Sequence, residues 1–471
     1  MSLLVLVSIA ALGMVAGTGA PARAAEALSV GFASVDISPQ LEAGKPIWLA
    51  GLESNRAAQE IHDPLFARAV VLADGARRVA LVSVDSIGLP RPSVERARAQ
   101  LTDLSYVLVA STHSHASPDV IGIWGPSEGA SGVNPDYLRQ VESGIVEAVQ
   151  KAAANLTPAK AEYATAEDES LLGDYRLPKV YDAVLRVLRF SRASDGRPLG
   201  IVVQWNSHGV EPSKNPKVTR DFMGVVVDTL AQRHGCPVIY FQGAIGGLMG
   251  TPDVHPKDAQ GQLITDPFAL IQMAGEAIAG LADRALAHAE PVQLTPLAVS
   301  ARPLYIPLAN EGYRQARAAG VLNRAAFAWT GDRNRRGEAV PQGQSDPNEA
   351  LETEVAYLRL GELHVAAIPG ELYPELVYGK FQDPVDPGAD FLDAPLEKPI
   401  TAILPGKKML VLGLANDEVG YIVPKRQWDV VAPYAYGRKS AQYGERNSVG
   451  PETARLLMEG LRDCVREAPQ P

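Results

Sequence analysis

The sequence predicts an α/β fold, with mixed β-sheets and flanking helices in one large domain. Runs of β-formers alternate with helical runs along nearly the whole chain. Two pairs of β runs are joined by Asp-Gly turns, the mark of antiparallel neighbours. The composition is that of an ordinary folded protein: of 471 residues, 46% are hydrophobic and 21% charged.

The elements follow in order. LSVGFASVDIS reads as a strand. PLFARAVVLADGARRVALVSVD gives two β runs around Asp74-Gly75. PSVERARAQL is helical, SYVLVAS is a strand, and PDYLRQVESGIVEAVQKAAANL has a long helical period with Pro135 at its first turn. A second cycle opens with DAVLRVLRFSRASDGRPLGIVVQWNS, again a pair around Asp-Gly. It continues with a helix ending at Gly235 and a strand, PVIYFQ, that runs into glycines. A helix is expected over Pro267–Ala289. Between Gln293 and Arg359 lie a β run, a basic helical stretch over Tyr313–Trp329 and a polar loop. LHVAAIPGE and KMLVLGLAND are strands, and GPETARLLMEGLRDCV closes the chain as a helix.

A net charge of −10 with no basic cluster excludes nucleic acid and anionic membranes as partners. Residues 1–24 read as a signal peptide, an apolar run followed by the cleavage pattern Ala22-Arg23-Ala24. The mature chain, 25–471, is then periplasmic or secreted, with no integral membrane segment after cleavage. Cys236 and Cys464 can form one disulfide, but two cysteines are no framework.

Several β runs end in loops that open with chemically useful residues, and sheets bind ligands at the carboxyl ends of their strands. YVLVAS runs into His113 and His115, GIVVQWNS into His208, LHVAAIPG into Glu371, and MLVLGLAND leads to Tyr421. In extended backbone, His113 and His115 point to one side. Two imidazoles, a carboxylate and a phenol oxygen suit Zn²⁺. Taken singly, each residue is equally readable as a hydrogen-bonded or packed loop residue.

Read in order, these motifs resemble the neutral/alkaline, non-lysosomal ceramidase family in its N-terminal catalytic domain. The resemblance runs from VGFASVDISP through IHDPLFARAVVL, STHSHASPD, YRLPKVYD, DGRPLGIVVQWNSHGVEP, YFQGAIGG and AAIPGELY to LANDEVGYIVP, over roughly Ser29 to Gln442. It implies zinc as cofactor and His113, His208, Glu371 and Tyr421 as its ligands. It implies that His115 and Arg176 are catalytic and substrate-facing, and that Asp85 supports a ligand histidine from behind. The turn holding Gly246 and Gly247 is expected either to donate N–H groups to an oxyanion or to pack tightly.

The sequence departs from that family at two places in its motifs. Met249 stands where the family has a serine argued to be catalytic, and Glu418 stands at the first tyrosine of its N-x-Y-x-x-Y segment. The family's C-terminal immunoglobulin-like domain is expected to be missing. The expected activity is a secreted zinc-dependent hydrolase that uses a metal-activated water on an amide bond of a small-molecule or lipid substrate, with a connection to sphingolipid metabolism. An ester or lactone hydrolase and a degenerate, non-catalytic binding protein are the alternatives. A metallo-β-lactamase is excluded because Ser117 and Pro118 occupy the last two places of H-x-H-x-D-H. An amidohydrolase barrel is excluded because the H-x-H follows several strands. Residues 310–348 and 382–399 are expected to shape the mouth of the site.

Overall fold

Both Asp-Gly pairs form the expected hairpins within a nine-stranded sheet. In chain order its strands are β1 (Ser29–Asp36), β2 (Phe66–Ala73), β3 (Arg78–Val84), β4 (Tyr106–Ser111), β5 (Thr157–Glu167), β6 (Val184–Arg192), β7 (Pro198–Trp205), β8 (Val238–Gln242) and β9 (Glu290–Val292). In space they run β8-β7-β6-β5-β1-β2-β3-β4, with β9 beside β5. A second sheet holds β10 (Leu297–Pro307), β11 (Ala326–Ala328), β12 (Ala339–Val340), β13 (Glu349–Leu360), β14 (Leu363–Ala367) and β15 (Met409–Leu412). Its order is β12-β11-β13-β14-β15, with β10 beside β13. This computed structural model describes residues 27–210, 214–247, 249–252, 256–257 and 260–469, so the expected signal peptide lies outside the described residues.

Most pairings are antiparallel, but β3–β4, β7–β8 and β14–β15 are parallel. The first two need crossovers, and helices supply them: α1 (Arg91–Arg98) before β4, and, after α2 (Pro135–Ala154), α3 (Asp221–His234) before β8. The Asn134 side chain accepts the N–H groups of Asp136 and Tyr137, and Pro135 fills the first helical position, so α2 starts where the sequence says. Gly235, at φ 63°, ends α3 in the left-handed conformation that glycine tolerates best.

The two sheets stack face to face. Leu108, Leu188 and Phe241 of the first share a core with Leu358, Val365 and Leu412 of the second. On the outer side of the first sheet, α2 buries Val141, Ile145 and Val149 against Val71 and Val82. There α3 and α4 (Pro267–Leu286) bury Phe222 and Ile278 against Leu185 and Val203. Beyond the second sheet, α5 (Thr453–Glu467) packs Leu457 and Leu461 on Leu304 and Val355. The result is four layers, helix–sheet–sheet–helix, each apolar face covered by the next.

Three expectations change. The basic stretch Tyr313–Trp329 is helical only as the end of Glu311–Ala318; Gly320, at φ 78°, breaks it and β11 follows. The spine of the second sheet, β13, was not singled out, because ALETEVAYLRL is rich in helix formers and its near-complete burial erases the alternation of a half-exposed strand. Cys236 and Cys464 are both buried and unpaired, and they sit in different core clusters.

The sheets are also stitched along one edge. Ser111 donates its N–H to Leu414 O at 3.2 Å, Asn416 to Val109 O at 2.6 Å, and Gly413 to Gln242 O at 3.1 Å. This seam draws the carboxyl ends of β4, β8 and β15 together.

Candidate metal centre

The loops that leave β4, β7, β14 and β15 meet at this seam, and each strand belongs to a parallel pair. After β4 the backbone turns left-handed at His113 (φ 68°), and the N–H groups of His113 and Ser114 both reach Ser86 O, at 2.9 and 3.2 Å. The strand ends at Ser111, so His113 and His115 do not face one side through extended backbone. Their rings meet because the chain folds over: the two Nε2 atoms are 3.0 Å apart.

His208 follows β7 and is held twice by one residue. Its backbone N–H and its ring Nδ1 both point at Met249 O, each at 2.7 Å. The ring of His113 is fixed in the same manner, Nδ1 to Ile87 O at 2.6 Å. A carbonyl oxygen only accepts, so both Nδ1 atoms carry hydrogen, and in the neutral imidazole each Nε2 then presents a lone pair. Those lone pairs converge on Glu371: its Oε2 is 2.9 Å from His208 Nε2 and 3.6 Å from His113 Nε2. Glu371 and Tyr421 are register partners in a two-residue parallel bridge, and the Tyr421 hydroxyl lies 3.3 Å from His208 Nε2.

The electrostatics follow from burial. Burial pushes the His113 imidazole well below its ordinary value, against the opposing pull of Glu371. Burial pushes the Glu371 carboxyl up, but the attraction of a proton shared with His113 and His208, with the hydrogen bonds of His208 and the Tyr421 hydroxyl, outweighs it and holds the group below the usual carboxylate range. Tyr421 is raised well above an ordinary phenol, first by burial and then by Glu371. Lone pairs and a carboxylate thus crowd one point, an arrangement that a shared proton or a cation resolves. His113, His115 and His208 have ligand atoms within 4.8 Å of one another and can hold a metal ion. Two imidazoles, a carboxylate and a neutral phenol oxygen fit Zn²⁺.

A cavity of about 450 Å³ opens over this point. His113, His115, Glu371 and Tyr421 line it together with an apolar wall that includes Ile87, Ile121, Trp124, Leu138 and Val321. From the two expected mouth segments, residues such as Tyr313 and Val321 line it, and none from 382–399 does.

The remaining site residues fall elsewhere. The Arg176 guanidinium is buried in an ion pair with Glu445 at 2.8 Å, bonded to Gln427 and Leu177 and stacked over Tyr373. It does not line the cavity, and its two Nη groups are engaged by the fold behind Tyr373. Asp85 touches no imidazole; Arg68 Nη1 at 2.7 Å and the Phe66 N–H at 2.8 Å take its carboxylate. Backbone carbonyls do the work expected of it. The N–H of Gly246 donates to Leu372 O at 2.8 Å and Gly247 stands beside Asp174; neither lines the cavity.

Sequence reasoning missed the carbonyls of Ile87 and Met249, which no residue type announces. It also missed Arg56, whose guanidinium donates to the carbonyls of Ala50 and His115. Glu418, noted only as a replacement, lines the cavity. Burial and the nearby Glu371 raise its carboxyl well above the ordinary value.

No protein-family model matches the chain, and no curated protein matches it. Solved structures do. The neutral ceramidase from Pseudomonas aeruginosa superposes with a TM-score of 0.70 at 16% identity, over 93% of this chain and 74% of that one. A ceramidase complexed with C2 gives 0.67 at 16% identity, over 93% and 75%. At that identity the likeness speaks for the fold, and it bears out the resemblance read from the motifs at that level. Across nearly its whole length, then, the chain has the fold of the neutral ceramidases.

Proposed function

We propose that the protein is a zinc-dependent hydrolase of amide bonds in N-acyl substrates with an apolar chain. The observation that carries this is the convergence of two imidazole lone pairs, the Glu371 carboxylate and the Tyr421 hydroxyl on one point at the floor of an apolar cavity. The solved structures of this fold that bear the name ceramidase support the choice of an amide.

In this reading His113, His208 and Glu371 hold the ion, and Tyr421, kept as a phenol by burial, completes the set as a weak oxygen donor. When bound, the ion supplies a Lewis acid for the carbonyl and an activated water. His115 stands beside the ligands, its Nε2 3.0 Å from that of His113, and would take a proton from the attacking water and pass it to the leaving nitrogen. The apolar wall receives the acyl chain, and its volume lies within the about 300–1,000 Å³ of ligand pockets. It also keeps water from the polar floor, which strengthens every charge interaction there. Secretion belongs to the same proposal and rests on the Ala22-Arg23-Ala24 pattern alone.

A panel of N-acyl amides and matched acyl esters, assayed with zinc stripped and restored, tests this. Zinc-dependent turnover of amides is the expected result. Zinc-dependent turnover of esters alone would replace the amide reading, and no turnover by zinc-loaded protein would replace it with a binding role.

A further inference from the structure

Much of the apolar wall comes from one segment, and one side chain folds it. Between β4 and α2 the chain forms neither helix nor strand, yet Ile121, Ile123, Trp124 and Val133 of this stretch line the cavity. Asp119, early in the stretch, is buried. Its Oδ1 accepts the N–H groups of Ile121 at 2.9 Å and Gly122 at 2.7 Å, and its Oδ2 accepts the Trp124 N–H at 3.0 Å. The returning arm closes on the same carboxylate. A Cβ on Gly132 would lie 2.4 Å from Oδ2, and the Gly132 N–H reaches Gly122 O at 3.1 Å.

A buried carboxylate must find donors, and bonds to an ionised acceptor are roughly twice as strong as neutral ones. Here the donors are backbone N–H groups of the wall itself, so the shape of the wall follows the carboxylate. The knot is also pinned from outside. Asp119 gives its own N–H to Trp48 O at 2.7 Å. Gly122 abuts Val321, another residue of the wall, so closely that a Cβ would lie 2.0 Å from its carbonyl oxygen. The metal floor is held by other groups, His113 by Ile87 O and His208 by Met249 O.

We propose that Asp119 is the positioning residue for recognition of the substrate's apolar chain: its carboxylate sets the wall from Ile121 to Val133, and with it the preference for long chains over short ones. This rests on the cavity being the substrate site.

The test titrates two hydrolysis-resistant ligands, N-methyl butanesulfonamide and N-methyl dodecanesulfonamide, into zinc-loaded protein by calorimetry. The two share a head group and differ in the chain that the wall would cover. The unaltered protein should bind the dodecyl form about a hundredfold more tightly or better. In Asp119→Asn, whichever way the amide turns, its NH2 faces an N–H that the carboxylate accepted. That variant should lose about tenfold or more of the preference, with zinc content and butyl affinity unchanged. Asp119→Ser, whose shorter side chain keeps a turn bond but does not reach Trp124, should shift the preference in the same direction. Equal binding of the pair by the unaltered protein overturns the proposal without any variant. A folded variant that keeps the full preference overturns it, and so does one that loses the butyl ligand and zinc together with the dodecyl form, since the effect is then on the whole site. A preference that Asp119→Asn removes, in a protein that turns over no amide, would support Asp119 and sink the hydrolase reading.

Discussion

The left-handed backbone of His113, at φ 68°, is a conformation that costs a residue with a side chain about 1–3 kcal/mol. It is held there by Ser86 O and Ile87 O, and the return is an imidazole whose lone pair faces Glu371. His115 is placed by a different device. Gly51 lies at φ 99°, and a Cβ there would fall 2.4 Å from His115 Cγ. Gly51→Ala should displace the ring and cut turnover by about tenfold or more, with zinc retained, as metal analysis beside steady-state kinetics would show. Met249 acts through its carbonyl on His208, and its thioether lies in the core against α3 and β8. Met249→Leu should cost under about 1.5 kcal/mol in urea denaturation, and Met249→Ala about 2–5 kcal/mol. The imidazoles, the carboxylate and the phenol were legible because each stands just past a β run. Their carbonyl partners were not, since any residue supplies a carbonyl, and the ion pairs of Arg176 with Glu445 and of Asp85 with Arg68 were not, because an isolated charge in a sequence does not name its counter-ion.

At the scale of elements, β4, β7, β14 and β15 each lie in a parallel pair, and the loop from each delivers one part of the site. Asn416 clasps the two sheets where these loops meet. Its Oδ1 accepts the Val109 N–H at 3.1 Å and its Nδ2 donates to the Tyr106 hydroxyl at 2.9 Å. Removing the clasp leaves a buried β4 N–H without its partner, so Asn416→Ala should destabilise the protein by about 1–3 kcal/mol in urea denaturation and weaken zinc retention during dialysis. Most elements were legible from periodicity and from the punctuation at Asp74-Gly75, Asn134-Pro135 and Gly235. The exceptions, β13 and the end of the basic helix, are segments where burial on both faces or one turn-forming glycine overrides local propensity.

At the scale of the whole molecule, the stacked sheets bury many titratable groups, and these couple stability to pH. Burial pushes the Glu375 carboxyl from an ordinary 4.5 up to about 7, against the opposing pull of Arg176. Between those values the folded protein holds a proton that the unfolded chain has released, so stability falls as pH rises through this window, by up to about 3 kcal/mol. Glu375→Gln, which cannot ionise, should therefore raise Tm relative to the unaltered protein above pH 7 and lose that advantage below pH 4.5; an equal difference at both ends would contradict the sign. The central claim, that the seam between the sheets is a metal centre, is tested most directly by metal analysis of purified protein and its His113→Ala variant. The account predicts about one equivalent of zinc in the first and less than about 0.2 in the second. Unaltered protein that takes up no zinc, or a folded His113→Ala protein that keeps its full equivalent, would contradict it.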